Sequence, residues 1–347
     1  DRDSERPHVR LSAVRDLGRH AASDRSGRAL SALRETLAKD ASVEIRGAAA
    51  LSLADAEART AAPALVRALE EDAHEHVRQM ALLALGELGT PDDPRIVEVV
   101  RAALEDTAPA LRFQALIACH KLHTADAEAA LLAGTEDADA EVRHLAFRLL
   151  EERATSEDGV VSPSDVVRKA AYAGLSDSVL GPRLAAAILL ARSGDDRGNA
   201  VLAEAVSNAP DARGTRGVGI DPEDEQTAIV LAGERSIEAA RPGLARRAFR
   251  ALLGKDRFSY EARIALARLG DERARRAISV GLRAWSRDAR TLAVVAAGRA
   301  GLVEARGAIE TMRGDAARAE PEAVEEALLL LAVPGPDGRL VVIRDRG

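Results

Sequence analysis

The chain has 347 residues, 49 of them basic and 56 acidic for a net charge of −7, with 47% hydrophobic residues but only 2% aromatics. That composition excludes an aromatic-rich core and points to thin layers of Ala, Leu, Val and Ile. No apolar run reaches the roughly 20 residues of a membrane-spanning helix, and one cysteine cannot build a disulfide framework; a cytoplasmic chain is favoured, with export of a longer precursor left open.

Ten alanines set the period: Ala13, Ala49, Ala81, Ala115, Ala146, Ala186, Ala228, Ala262, Ala293 and Ala327. Around each, an apolar residue stands four before, usually Arg three before, usually Leu four after, and Gly or Ala five after. Such spacing, with two helices per unit, is the signature of a solenoid whose units bury their apolar faces only against neighbours.

In chain order, a turn at residues 1–6 leads directly into the Ala13 helix. Its Leu11, Val14 and Leu17 lack a preceding partner helix, so a longer natural chain is the favoured reading. Amphipathic helices then alternate with alanine helices, as in Pro63–Asp72 before Val77–Gly89, and Arg95–Asp106 before the Ala115 helix. Regular repeats are expected over 1–152, inserted loops at 153–165 and 207–224, Arg-rich repeats over 235–314, and a terminal repeat with a cap over 315–347. In that cap, Pro334–Gly347 leaves the helical period and carries strand propensity at Leu340–Ile343.

Local chemistry repeats with the helices. Proline six before the alanine (Pro7, Pro109, Pro222, Pro321) suits a helical first turn, where no amide hydrogen bond is lost. Glycine eight after it (Gly89, Gly194, Gly270, Gly301, Gly335) is expected to stop the helix in the left-handed conformation. The alanine itself sits mid-sector on the apolar face, allowing two backbones to approach closely.

Asp, a turn, and then VRxxAxxALGxLG together resemble the HEAT repeat, most closely its short bacterial variety, the PBS-lyase HEAT-like repeat. The resemblance implies an all-α, α-solenoid fold. It would be a right-handed superhelix of about ten helical hairpins in a single domain spanning 1–347, the first repeat incomplete. It also implies a structural ladder between adjacent turns, which falls on Asp40, Asp72, Asp106, Asp137 and Asp177 with Arg46, Arg78, Arg112, Arg143 and Arg183. Glu225, Ser259 and Val324 occupy the arginine position in three later copies and interrupt it. The alanine helix is the second of each pair and lines the concave side, so residues two before the alanine, Gln79, Phe113, His144, Gln226 and Tyr260, are candidate partner contacts.

Candidates for chemistry are few. Cys119 occupies a position that is Leu in other copies and reads as a core thiol. The 207–224 loop joins Arg213 and Arg216 to three glycines, a candidate partner contact, but matches no phosphate-binding motif. His74-Glu75 is the single His-Glu dipeptide, and Leu145 follows His144 where a di-iron site of the HEAT-like hydroxylase kind would need a carboxylate. His74 and His76 alone lack the ligand count of a zinc site. Residues 235–290 carry 15 basic and 6 acidic side chains, the basis of a nucleic-acid-binding alternative. Against it, the residues six after each alanine have mixed signs, whereas a phosphate-tracking groove needs one sign. A lyase or modifying enzyme is the second alternative, without a catalytic constellation to support it. The sequence reading is therefore a non-catalytic protein-binding scaffold, without cofactor or metal.

Overall fold

A computed structural model describes residues 6–24, 26–208, 221–254 and 258–332. The described residues form an all-α solenoid of nineteen α-helices, with one isolated bridge and no strand. Each of the ten alanines lies on its own helix, from Pro7–Ala21 through Glu75–Leu88 to Pro321–Leu330, and a partner helix precedes every one after the first. The helices group into two compact units, residues 1–195 and 196–347.

In residues 1–195 the second helices pack side by side, Pro7–Ala21 on Val43–Asp55, that helix on Glu75–Leu88, and that in turn on Pro109–Lys121. Each also packs on its own first helix, such as Ala62–Glu71 against Glu75–Leu88. In residues 196–347 Pro222–Glu238 packs on its own first helix, Asn199–Asn208, and on the following first helix, Pro242–Leu252, while the second helices Arg287–Ala300 and Pro321–Leu330 pack side by side. The seam is made of small residues. The nine alanines from Ala49 to Ala327 are at most 6% exposed. Where glycine stands five after the alanine, helices approach more closely still: a Cβ on Gly86 would lie 3.1 Å from the Ala118 Cα, and one on Gly298 would lie 2.8 Å from the Ala327 Cα.

Helix ends follow local chemistry, with one correction. Pro7, Pro109, Pro222 and Pro321 all occupy the first helical turn. Gly194, Gly270 and Gly301 take positive φ of 82°, 77° and 66°, as a left-handed stop requires. Gly89 does not, with φ −70°. Its small size is needed instead for packing, because a Cβ would fall 2.7 Å from Leu122 Cδ2 and 2.6 Å from the Leu85 carbonyl oxygen. Gly335 and the strand-like Pro334–Gly347 segment lie outside the described residues.

The first expected insertion is compact. The Ala146 helix continues to Ala154, the next helix starts at Asp165, and between them Thr155 pairs with Val161 in an antiparallel bridge. Val161 is buried, so the insertion closes on itself rather than forming an open loop. Residues 209–220 of the second insertion, including Arg213 and Arg216, lie outside the described residues.

Candidate protein-binding face and the edge that supports it

Each first helix ends at a turn whose last carbonyls have no partner within the helix. An arginine from the following second helix reaches back to them. Nη1 of Arg46 donates to the Asp40 carbonyl at 2.9 Å, and Arg112, Arg143 and Arg183 repeat this on Asp106, Asp137 and Asp177. The rest of the guanidinium spans to the next turn. Arg46 donates through Nε and Nη2 to the two Asp72 carboxylate oxygens at 2.7 and 2.9 Å. Arg112 binds Asp137 and Arg143 binds Asp177 in the same two-pronged way.

The aspartate has a second task. One oxygen of Asp40, Asp72, Asp106, Asp137 and Asp177 accepts the amide of the residue two on, respectively Ser42, His74, Ala108, Asp139 and Val179. Those five residues are the N-caps of the second helices, so each aspartate fixes where its helix begins. The pairs are largely dry, with Arg46 and Asp72 side chains 12% and 11% exposed. Arginine hydrogen bonds hold the Asp72, Asp137 and Asp177 carboxyls below the usual carboxylate range. At Asp40 burial pulls upward most strongly, but hydrogen bonds from Arg10 and the Ser42 amide, with the charges of Arg10 and Arg46, together hold the carboxyl below its usual range.

Two departures from the sequence expectation are informative. Arg10, three before Ala13, forms a two-pronged pair with Asp40 at 2.9 and 3.1 Å. Its place in the arginine column was the available signal. Arg78 instead makes only carbonyl contacts in its own turn, to Asp72 and Ala73, and does not reach Asp106. Within residues 196–347, Arg290 performs the spanning role without a carboxylate. It donates to the Ala284 and Trp285 carbonyls of its own turn and to the Ala317 and Arg318 carbonyls of the next.

The ladder fixes the second helices and hence the face they present. Gln79, Phe113, His144, Gln226 and Tyr260 are all half-buried. Phe113 packs against apolar core residues, and the Tyr260 hydroxyl donates to the Leu292 carbonyl at 2.8 Å. Tyr260 thereby reaches the neighbouring second helix, Arg287–Ala300. At about 100° per residue, the positions two before and two after the alanine both lie about 160° from it, on either side of the point opposite the seam. Two after the alanine in residues 1–195, Leu51, Leu83, Ile117 and Arg148 are partly exposed, while Arg15 is exposed and Ile188 buried. The first three occupy adjacent second helices and form an apolar stripe. A cleft of about 480 Å³ opens beside it, lined by Leu51, Leu83 and Leu88 with Asp55, Glu87 and Arg59.

Charges on this face pair across helices. Lys121 binds Glu87, and His120 Nε2 lies 3.3 Å from Glu152. The mixed signs six after the alanines thus include a complementary pair on neighbouring helices, Glu87 with Lys121.

The other candidates find structural surroundings. Burial pushes the Cys119 thiol up to about 11, away from nucleophilic range. His74 is an N-cap and His76 lies over Gly47. Among the described residues, no three His, Cys, Asp or Glu side chains gather as a metal site. In the basic segment, Arg246 donates to the Leu269 carbonyl, Arg250 pairs with Asp271, and Arg275 contacts the Ala267 carbonyl and Glu304. Arg241, Arg247, Arg273, Arg276 and Arg283 remain exposed. No described helix is long and apolar enough to cross a membrane.

A family model described as HEAT repeats matches residues 2–86 and 72–151. Among solved structures, the chain is similar to an engineered protein at 17% identity and a TM-score of 0.43, over 96% of this chain and 98% of that one. It is also similar to YibA of Escherichia coli at 16% identity and a TM-score of 0.44, over 73% of this chain and 92% of that one. No curated protein matches the chain.

Proposed function

We propose that this chain, a HEAT-repeat protein through residues 2–151, is a non-catalytic scaffold that holds a protein partner along the concave surface lined by its second helices. The observation that carries this reading is the apolar stripe Leu51, Leu83 and Ile117, partly exposed on three adjacent helices. Apolar side chains held in register by a rigid edge offer a partner a preorganised contact, with little ordering cost on this side. The paired Glu87 and Lys121 supply a polar rim, and Gln79, Phe113 and His144 supply the flank. In the second unit the corresponding contacts are Gln226 and Tyr260.

An apolar stripe favours protein over nucleic acid, whose affinity comes mainly from phosphate contacts. The commitment of Arg246 and Arg250 to internal contacts further weakens the nucleic-acid alternative. Among the described residues, no side-chain arrangement supports the lyase alternative.

Affinity capture tests the proposal. The full chain and its Leu83→Glu/Ile117→Glu variant are used to recover proteins from a lysate of the source cells, quantified by mass spectrometry. The expected result is specific loss of one or a few proteins with the variant. Equal recovery of every captured protein by a folded variant would overturn it.

A further inference from the structure

The chain's one tryptophan, Trp285, is 99% exposed. A large indole left wholly in water gives up the burial that ordinarily stabilises it. Its position sharpens the oddity. Trp285 stands eight before the repeat alanine, where six other copies carry the small residues Ala41, Ala73, Thr107, Ala138, Ser178 and Ala319, and the remaining three Glu5, Ile220 and Gly254. The turn therefore tolerates a small residue and has no packing use for an aromatic one.

The turn that carries it is fixed. Arg290 Nη1 donates to both the Ala284 and Trp285 carbonyls at 2.8 Å, while its other nitrogens hold the next turn. The preceding helix, Glu272–Gly281, continues into the turn through hydrogen bonds from Arg283 to Val280 and from Ala284 to Gly281. On its outer side Arg276, Val280 and Arg283 follow one another at helical spacing, all exposed, with Val280 64% exposed. The adjoining Ala284 lines a cleft of about 590 Å³ together with Leu282 and Met312; its wall also carries Arg283, Arg290, Glu304 and Arg318, and the indole stands outside it. An aromatic anchor, a partly apolar recess and arginines together are the composition of a binding hot spot.

We propose that Trp285, this cleft, Arg276 and Arg283 form a second docking site, separate from the second-helix face, for an acidic segment of a partner protein carrying an apolar anchor. The anchor enters the cleft beside the indole, and the segment's carboxylates meet Arg276 and Arg283. Charge complementarity selects an acidic occupant. The mixed lining of the cleft, with Glu304 among apolar residues and arginines, selects protein over a nucleic-acid strand, which would need a longer track of cations.

Because Trp285 is the sole tryptophan, its emission reports on the site directly. The full chain is titrated with a short synthetic peptide of glutamates around a central Phe-Leu pair, and in parallel with its lysine counterpart and a single-stranded oligonucleotide. The glutamate peptide alone should shift the emission to the blue and protect it from acrylamide, less so at high salt. By anisotropy of a labelled peptide, Trp285→Ala should weaken binding about thirty-fold, the size of a hot-spot loss, and Arg276→Glu/Arg283→Glu should abolish the response. Thermal unfolding of Trp285→Ala should match wild type, since no contact is lost. Leu83→Glu should bind the peptide normally, which separates this site from the one proposed above. Unchanged emission at about 1 mM peptide, or preference for the oligonucleotide or the lysine peptide, would overturn the proposal.

Discussion

Two edges of this molecule solve one problem with different chemistry. In residues 1–195, Arg10, Arg46, Arg112 and Arg143 span from turn to turn by gripping the next aspartate. In residues 196–347, Arg290 spans to the next turn by gripping the backbone carbonyls of Ala317 and Arg318. A carboxylate adds charge, two acceptor oxygens and an N-cap contact, but it titrates and leaves a buried cation behind if lost. Backbone carbonyls do not titrate, and water can replace the arginine at an exposed turn. The first solution gives a stiff, acid-sensitive edge, and the second an edge whose contacts do not titrate.

The largest expected difference is in acid. Since Asp72, Asp137 and Asp177 have carboxyl pKa values lowered by their arginines, the folded state binds protons less readily than the unfolded state there. Their stabilisation is complete above the ordinary carboxylate value and is lost as pH falls through the lower folded values. Asp271, lowered by Arg250, adds one similar group to the second unit. Hydrogen exchange at falling pH should therefore show residues 40–180 opening before residues 285–320. Simultaneous opening would break the comparison.

Single substitutions come next. Asp72→Ala strands the Arg46 guanidinium in largely dry surroundings and should cost about 3 kcal/mol, near the lower end for breaking a buried pair. Arg290→Ala removes neutral contacts that water can partly replace, and about 1–2 kcal/mol is expected. Urea midpoints read unit by unit through hydrogen exchange would check both. Equal costs would mean that the carboxylate contributes no more than a carbonyl.

The seam should behave alike in both units. Ala115→Leu and Ala262→Leu each force a larger side chain into a position at most 1% exposed, costing about 1–3 kcal/mol. Glu98→Gln, on an exposed helix face, should change stability by less than about 0.5 kcal/mol. Denaturation midpoints for the three variants sharpen the account if they fall in that order.

The alternation of helices was legible because the alanine column is a direct consequence of helix-on-helix distance. Every second helix needs a small residue there, so the pattern survives even where charges and loops change. Turn chemistry was less so: Gly89 sits eight after its alanine like the left-handed glycines, yet is required by Leu122 and the Leu85 carbonyl, a contact between elements distant in sequence. Which side chains of the exposed face meet a partner was less legible, because residues two before and two after the alanine lie equally far from it, and Gln79 and Phe113 are partly exposed as Leu83 and Ile117 are. Arg290's carbonyl contacts had no sequence signal, because any residue supplies a carbonyl.

Hydrogen exchange of the full chain, with and without a partner recovered by capture, tests the binding-face claim most directly. The account predicts that protection rises on Val43–Asp55, Glu75–Leu88 and Pro109–Lys121, the helices carrying the apolar stripe. Protection confined to the first helices, with these three unchanged, would contradict it.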